Sequence, residues 1–184
     1  MGDFERVVDV VAYDPAWPER FEIERRLLAD ALPMSLSIEH IGSTSVPGLA
    51  AKPIIDILVV VPDVEGVAAD VSALERHRYR FRPSAFADDH DHLFFPKDTA
   101  GRRTHHLHVF GTQSPQPREN RIFREYLKVH PEVARRYEVA KHRAAALHPD
   151  SRAEYGAAKE PFVIELMAEA LLWDETSGRT TSDG

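Results

Sequence analysis

The 184-residue chain contains no cysteine. Disulfides, thiolate metal sites and cysteine nucleophiles are excluded, and the absence fits a reducing compartment such as the cytosol. An excess of positive charge is also missing. The 23 Lys and Arg stand against 30 Asp and Glu, a formal net charge of -7. General affinity for nucleic-acid backbones is not expected of such a chain, although a phosphate site needs only a few basic side chains. Long apolar runs are absent, so no stretch is expected to span a membrane. The opening Met1-Gly2-Asp3-Phe4-Glu5-Arg6 carries no apolar signal core. A soluble, cytoplasmic protein without membrane partners is the expectation. No internal repeat is visible. With 43% hydrophobic and 29% charged residues, the chain suits one domain with a substantial core. That domain is expected over residues 1–175, with the polar stretch 176–184 as a disordered tail.

Periodicity and punctuation lay out the elements. Val7 to Ala12 predicts an opening strand. Asp14-Pro15-Ala16-Trp17-Pro18 predicts a helix start, with Asp14 as cap and proline in the first turn. Phe21, Leu28, Ala31 and Leu32 give that helix an apolar face. Leu36 to Ile41 is a predicted strand, and Pro53 to Val61 is the most apolar one, expected at the centre of a sheet. Val64 to His77 predicts one helix, with Val67, Val71 and Leu74 on one face. Tyr79–Phe86, His92–Phe95 and Thr104–Phe110 read as three strands, with a hairpin turn on Gly101 between Lys97 and Arg103. His90-Asp91-His92 reads as a solvated loop, and Gly111 to Arg118 as another. Helices are predicted over Arg121–Val129, from Pro131 to about Leu147, and over Arg152–Lys159 behind an Asp150-Ser151 cap. A last helix opens at Pro161, where Val163, Leu166, Met167, Ala170 and Leu171 form a stripe for core packing. A mixed sheet followed by a helical half defines an α+β or α/β domain.

Chemistry concentrates in His40-Ile41-Gly42-Ser43-Thr44-Ser45-Val46-Pro47-Gly48-Leu49 and the following Lys52-Pro53-Ile54-Ile55-Asp56-Ile57. A turn of small hydroxyl residues leaves backbone N–H groups to hold an anion such as phosphate. Asp56 lies within a run of Ile, Leu and Val, where a carboxylate is costly unless a cation, a metal or donors meet it. Strand alternation puts Asp56 on one face with Ile54, Leu58 and Val60. It puts Thr104, His106, His108 and Phe110 on one face of a later strand. If the two strands are neighbours, Asp56 meets His106 and His108. Such a set can chelate a metal, or supply a base and a phosphate donor. Plainer readings stand beside this one: an ordinary turn, an Asp56 paired with a buried Lys or Arg, and a chance clustering among ten histidines.

The combination resembles the GrpB family, a nucleotidyltransferase-like domain also found fused behind dephospho-CoA kinase. The resemblance runs from about Val8 to Met167. It rests on Tyr13-Asp14-Pro15-Ala16-Trp17, His40 to Leu49, and Ala51-Lys52-Pro53-Ile54-Ile55-Asp56-Ile57. It continues with His106-Leu107-His108-Val109, Phe123-Arg124-Glu125-Tyr126-Leu127 and Ala158-Lys159-Glu160-Pro161-Phe162. It implies a nucleotidyltransferase-like mixed sheet flanked by helices, with a helical C-terminal half. One departure matters. The second acid of a spaced pair would stand at Leu58, and two-metal catalysis needs several carboxylates.

Three functional readings follow from these residues. In the first, the chain is an enzyme of transferase type acting on a nucleotide or another phosphorylated small molecule. Gly42, Ser43, Thr44 and Ser45 cradle phosphate, while Lys52, Arg103, Arg124 and Lys159 neutralise it. Asp56 binds Mg2+ or Mn2+ or acts as base, with His106 and His108 completing the site. In the second, the domain is a non-catalytic module for a ligand or a protein partner. In the third, the chain is a biosynthetic enzyme that reuses the pocket for different chemistry, such as ligation or dehydration.

Overall fold

A computed structural model of the protein describes residues 8–178, which group into two compact units. One holds Asp14–Ser45 and Ile54–Arg118; the other holds residues 8–13, 46–53 and 119–178. No helix of the described residues is long and apolar enough to cross a membrane.

The first unit is built on a four-stranded mixed sheet. Its strands are β1 (Ser37–Ile41), β2 (Ile55–Val61), β3 (His92–Thr99) and β4 (Arg102–Gly111). Their order is β1-β2-β4-β3, with β2 parallel to β4 and the outer pairs antiparallel. β2 is central, as its continuous Ile-Leu-Val run predicts: Ile57, Leu58 and Val59 have no exposed surface. β3 and β4 join through Ala100-Gly101, both at positive φ (49° and 77°), a two-residue turn that matches the twist of its strands.

Helix α1 (Trp17–Ala31) buries Trp17, Phe21, Glu24 and Leu28, a stripe at helical spacing. Glu24 on that stripe joins a buried polar group. Its carboxylate accepts hydrogen bonds from Lys97 Nζ (2.6 Å) and the Tyr79 hydroxyl (2.8 Å), and His105 Nε2 lies 4.0 Å away. Asp14 accepts from the amide of Ala16, the N-cap residue two positions later, so it shapes the entry turn and does not cap the helix itself.

Two predicted elements of this unit differ. Val64–His77 is two helices, α2 (Val64–Ala69) and α3 (Ser72–Arg76). Asp70 breaks them: its amide closes α2 on Gly66 O, and its carboxylate accepts from the Ser72 amide, a local bond that competes with helix continuation. Tyr79–Phe86 is not a strand. Tyr79 makes a single bridge to Lys97, the Arg80 and Arg82 amides donate to Pro96 O and Phe94 O, and the chain coils into turns from Pro83.

The second unit is helical: α4 (Gln116–Val129), α5 (Pro131–Leu147) and α6 (Arg152–Thr176). Val46, Leu49, Ile122, Leu127, Tyr137, Leu166 and Ala170 belong to its apolar core. Residues Val8 to Ala12 form no strand; Val11 makes one antiparallel bridge with Ala51, and Val7 lies outside the described residues. Helix α4 begins five residues before the predicted Arg121. Ser151 caps α6 by accepting from the Glu154 amide. Helix α6 then runs unbroken through Pro161, replacing the two predicted helices with one of 25 residues. Buried Tyr155, Leu166 and Ala170 hold both halves in the core, which outweighs the one amide that proline lacks. Thr176 ends this helix, and residues 179–184 of the expected tail lie outside the described residues.

Candidate functional site

The register of the two central strands creates the site. Asp56 pairs with His106 and Leu58 with His108 across β2 and β4, so alternation sends Asp56, His106 and His108 to one face. His106 Nδ1 lies 2.9 Å from Asp56 Oδ1. One ligand atom from each of Asp56, His106 and His108 falls within 4.8 Å of the others, a group able to hold a metal ion. Both histidines and the aspartate are half-buried. Burial drives the His108 imidazole down to about 3, with Asp56 pulling it back and His92 and His106 adding to the fall. His108 is therefore neutral near pH 7, the form that offers a lone pair to a metal or a proton acceptor.

Arg103 sits at the edge of this group. Its Nε donates to Asp98 at 2.7 Å, and its Nη1 lies 3.3 Å from His106 Nε2. A guanidinium can only donate, so it leaves the His106 proton on Nδ1, directed at Asp56.

The Gly-Ser turn follows β1 directly. Ile41 pairs with Asp56, and Gly42 turns the chain at φ 70°. A Cβ on Gly42 would lie 2.4 Å from Asp56 Oδ2. The glycine thus brings backbone against the carboxylate. Ser43–Ser45 form one 3-10 turn. Thr44 is buried, donating to Ile54 O and lying 2.9 Å from His40 Nε2, and Ser45 Oγ donates to Gly42 O at 2.6 Å. Both hydroxyls are committed to holding the turn. Ser43 keeps its hydroxyl uncommitted among the described residues.

Of the other expected phosphate ligands, Lys52, Arg124 and Lys159 belong to the helical unit. Lys52 Nζ and Lys159 Nζ lie 4.7 and 6.0 Å from the Tyr155 ring centre, and Arg124 Nε donates to Glu125 at 2.8 Å.

His92 was not among the predicted site residues. The expected solvated loop His90-Asp91-His92 ends in a buried residue that opens β3. His92 Nε2 lies 2.9 Å from His108 Nδ1, and its ring stacks on Phe110 and packs on Phe86, each 4.2 Å away between centres. Alternation along His92-Leu93-Phe94 was the available signal. Glu39 was also missed. It pairs with Leu58, which puts a carboxylate on the Asp56 face where Leu58 itself carries none.

Residues 7–169 match a family model described as GrpB protein. The UPF0157 protein YqkA of Bacillus subtilis is 34% identical over 181 residues, which cover 98% of this chain and 51% of that protein. A UPF0157 protein of Pseudomonas aeruginosa is 37% identical over 173 residues, covering 89% of this chain and 68% of its own. The chain thus spans about half the length of the first of these relatives. The dephospho-CoA kinase of Mycolicibacterium paratuberculosis is 26% identical over 199 residues, a match to 48% of that protein. Among solved structures, the conserved protein GrpB from Enterococcus faecalis superposes with a TM-score of 0.81 at 38% identity, covering 89% of this chain and 97% of that one. The GLD-2/RNP-8 complex superposes with a TM-score of 0.60 at 14% identity, over 95% of this chain and 70% of that one, a likeness of fold.

Proposed function

This chain belongs to the GrpB family, and from the geometry of its sheet face we propose that it is a nucleotidyltransferase-like enzyme that performs metal-assisted group transfer on a nucleotide or another phosphorylated small molecule. The observation that carries this reading is the convergence of Asp56, His106 and His108 donors within 4.8 Å, beside the Gly42 turn. One carboxylate from Asp56 and the neutral imidazole of His108, with His106 holding the carboxylate in place, suit Mn2+ better than Mg2+, which prefers oxygen ligands. Such a cation, when bound, neutralises phosphate oxygens and eases displacement at phosphorus. The Ser43 hydroxyl and the backbone amides of the turn hold a phosphate oxygen. Arg103 fixes the proton of His106 on Nδ1, and His106 in turn orients the Asp56 carboxylate. Neutral His108 serves as a ligand or takes a proton from the acceptor.

Mn2+ titration of wild type and Asp56→Asn, followed by paramagnetic resonance of the free ion, tests the site. Wild type is expected to bind Mn2+. The variant is expected to bind roughly tenfold or more weakly and to lose Mn2+-dependent turnover of nucleoside triphosphates while melting as wild type does. Equal Mn2+ affinity in the two proteins rejects the metal site. A variant that mainly unfolds makes Asp56 a structural residue.

Leu58 favours a second reading, a non-catalytic module for a phosphorylated ligand or a protein partner. It is fully buried in a cluster with Ile41, Val60 and Phe110, so the position of a second acid is filled by core packing. Nucleotide binding without any Mn2+ binding or Mn2+-dependent turnover in wild type would favour the module.

A further inference from the structure

We propose that the helical unit carries its own polyphosphate-binding site, formed by Lys52, Lys141 and Lys159 beside the rings of Tyr137 and Tyr155. The inference shares a phosphorylated ligand with the function proposed above but requires neither Asp56 nor a metal.

The two helices contribute the same local pattern. Tyr137 and Lys141 are four residues apart on α5, and Tyr155 and Lys159 are four apart on α6, so each lysine stands over the turn of its tyrosine. Lys141 Nζ lies 4.6 Å from the Tyr137 ring centre, while Lys52 and Lys159 approach Tyr155 from 4.7 and 6.0 Å. Lys141 is only 2% exposed and Tyr155 1%. A buried ammonium is ordinarily matched by a carboxylate. Lys141 instead donates to the Ala50 carbonyl. Glu138, the acid that acts on it electrostatically, has its carboxylate on the Ala50 amide at 3.2 Å. Among the described residues, neither Lys141 nor Lys159 has a carboxylate within 4.0 Å. Burial pushes Lys141 down to about 7; Glu138 opposes the fall and Lys159 deepens it.

Lys159 acts against the charge of Lys141, and a compact anion of several charges relieves that repulsion. A phosphoanhydride chain fits. Lysines bind phosphate as point charges. The chain could be free inorganic polyphosphate or the phosphates of a nucleotide.

Calorimetric titration in chelator-treated, metal-free buffer tests this, with inorganic tripolyphosphate as one probe and ATP as the other. Wild type is expected to bind tripolyphosphate, and Asp56→Asn to bind it equally. Lys141→Met is expected to weaken it roughly tenfold or more, the loss of one charge-assisted contact. Because Lys141 also supports Ala50, the half-exposed Lys159→Gln, with Lys159→Arg as rescue, decides the matter if Lys141→Met does not fold. Tighter ATP than tripolyphosphate would identify a nucleotide as the source, and equal affinities a free phosphoanhydride. No tripolyphosphate binding by wild type, or unchanged binding in Lys159→Gln and Lys141→Met, would overturn the site and leave Lys141 a strut for Ala50. Loss in Asp56→Asn alone would instead assign the anion to the sheet face.

Discussion

A methyl group on Gly42 would stand 2.4 Å from Asp56 Oδ2, closer than any Cβ contact tolerates. The backbone there, at φ 70°, is also one that L side chains rarely adopt. Gly42→Ala therefore acts twice. The left-handed conformation costs about 1–2 kcal/mol, and the methyl drives the carboxylate away from His106 and His108. Two readouts separate these effects. The thermal midpoint reports the strain, and Mn2+ titration reports the displaced ligand. Stability is expected to fall by about 1–3 kcal/mol, and Mn2+ affinity to fall further than stability alone explains. A Gly42→Ala protein that binds Mn2+ like wild type would show that the turn and the carboxylate are independent. The residue scale also explains what sequence hid. Lys141 sits in a helix of alternating Ala, Arg and Glu, where a lysine reads as solvated. Its partner, Ala50, is 91 residues earlier in the chain. Only the tertiary fold makes that contact visible.

Elements were legible where a strict period governs them. Alternation of two residues put His106 and His108 on one side of their strand and Asp56 on one side of its own, and the parallel register of β2 and β4 then joined them. The Gly101 hairpin and the Ser151 cap followed from the special backbone and side-chain chemistry they need. The errors lie where two local signals compete. Asp70 and Ser72 divided a helix whose apolar spacing looked continuous. At Pro161 the opposite occurred, and packing overrode a breaker. Residue 161 is exposed in α6, and its missing amide would otherwise donate to the Ala157 carbonyl. Pro161→Ala restores that bond. The gain of up to about 3 kcal/mol is offset by roughly 1 kcal/mol from the freer unfolded chain. A net stabilisation of about 1–2 kcal/mol is expected, a rise of several degrees in Tm for a chain of this size. A lower Tm would mean that the proline ring sets a helix shape the core depends on.

At the scale of the whole molecule, the buried ionisable groups of the two units act at opposite ends of the pH range. Burial lowers His105 to about 4 and His108 to about 3, from an ordinary 6.5, and lowers His92 in the same direction. For His105, Glu24 opposes that fall, while Lys97, His106 and Arg20 add to it. A depressed histidine stays neutral in the folded chain while the unfolded chain takes up a proton. Stability is thus lost as pH drops from about 6.5 toward 4, and toward 3 for His108. Lys141, lowered from 10.5 to about 7, has the same sign at higher pH: the folded chain binds fewer protons between these values, so its share of stability rises as pH goes from 7 to 10.5. Thermal melts from pH 4.5 to 10 are expected to show a falling acid limb, flattened in His105→Gln, and an alkaline contribution missing from Lys141→Met. His105 can carry on the order of 3 kcal/mol of the acid effect, since its side chain is only 12% exposed. The difference between wild type and variant isolates each group from the exposed carboxylates that titrate in both. An acid limb of equal slope in wild type and His105→Gln would mean that His105 is charged in the folded protein, paired with Glu24 across their 4.0 Å separation.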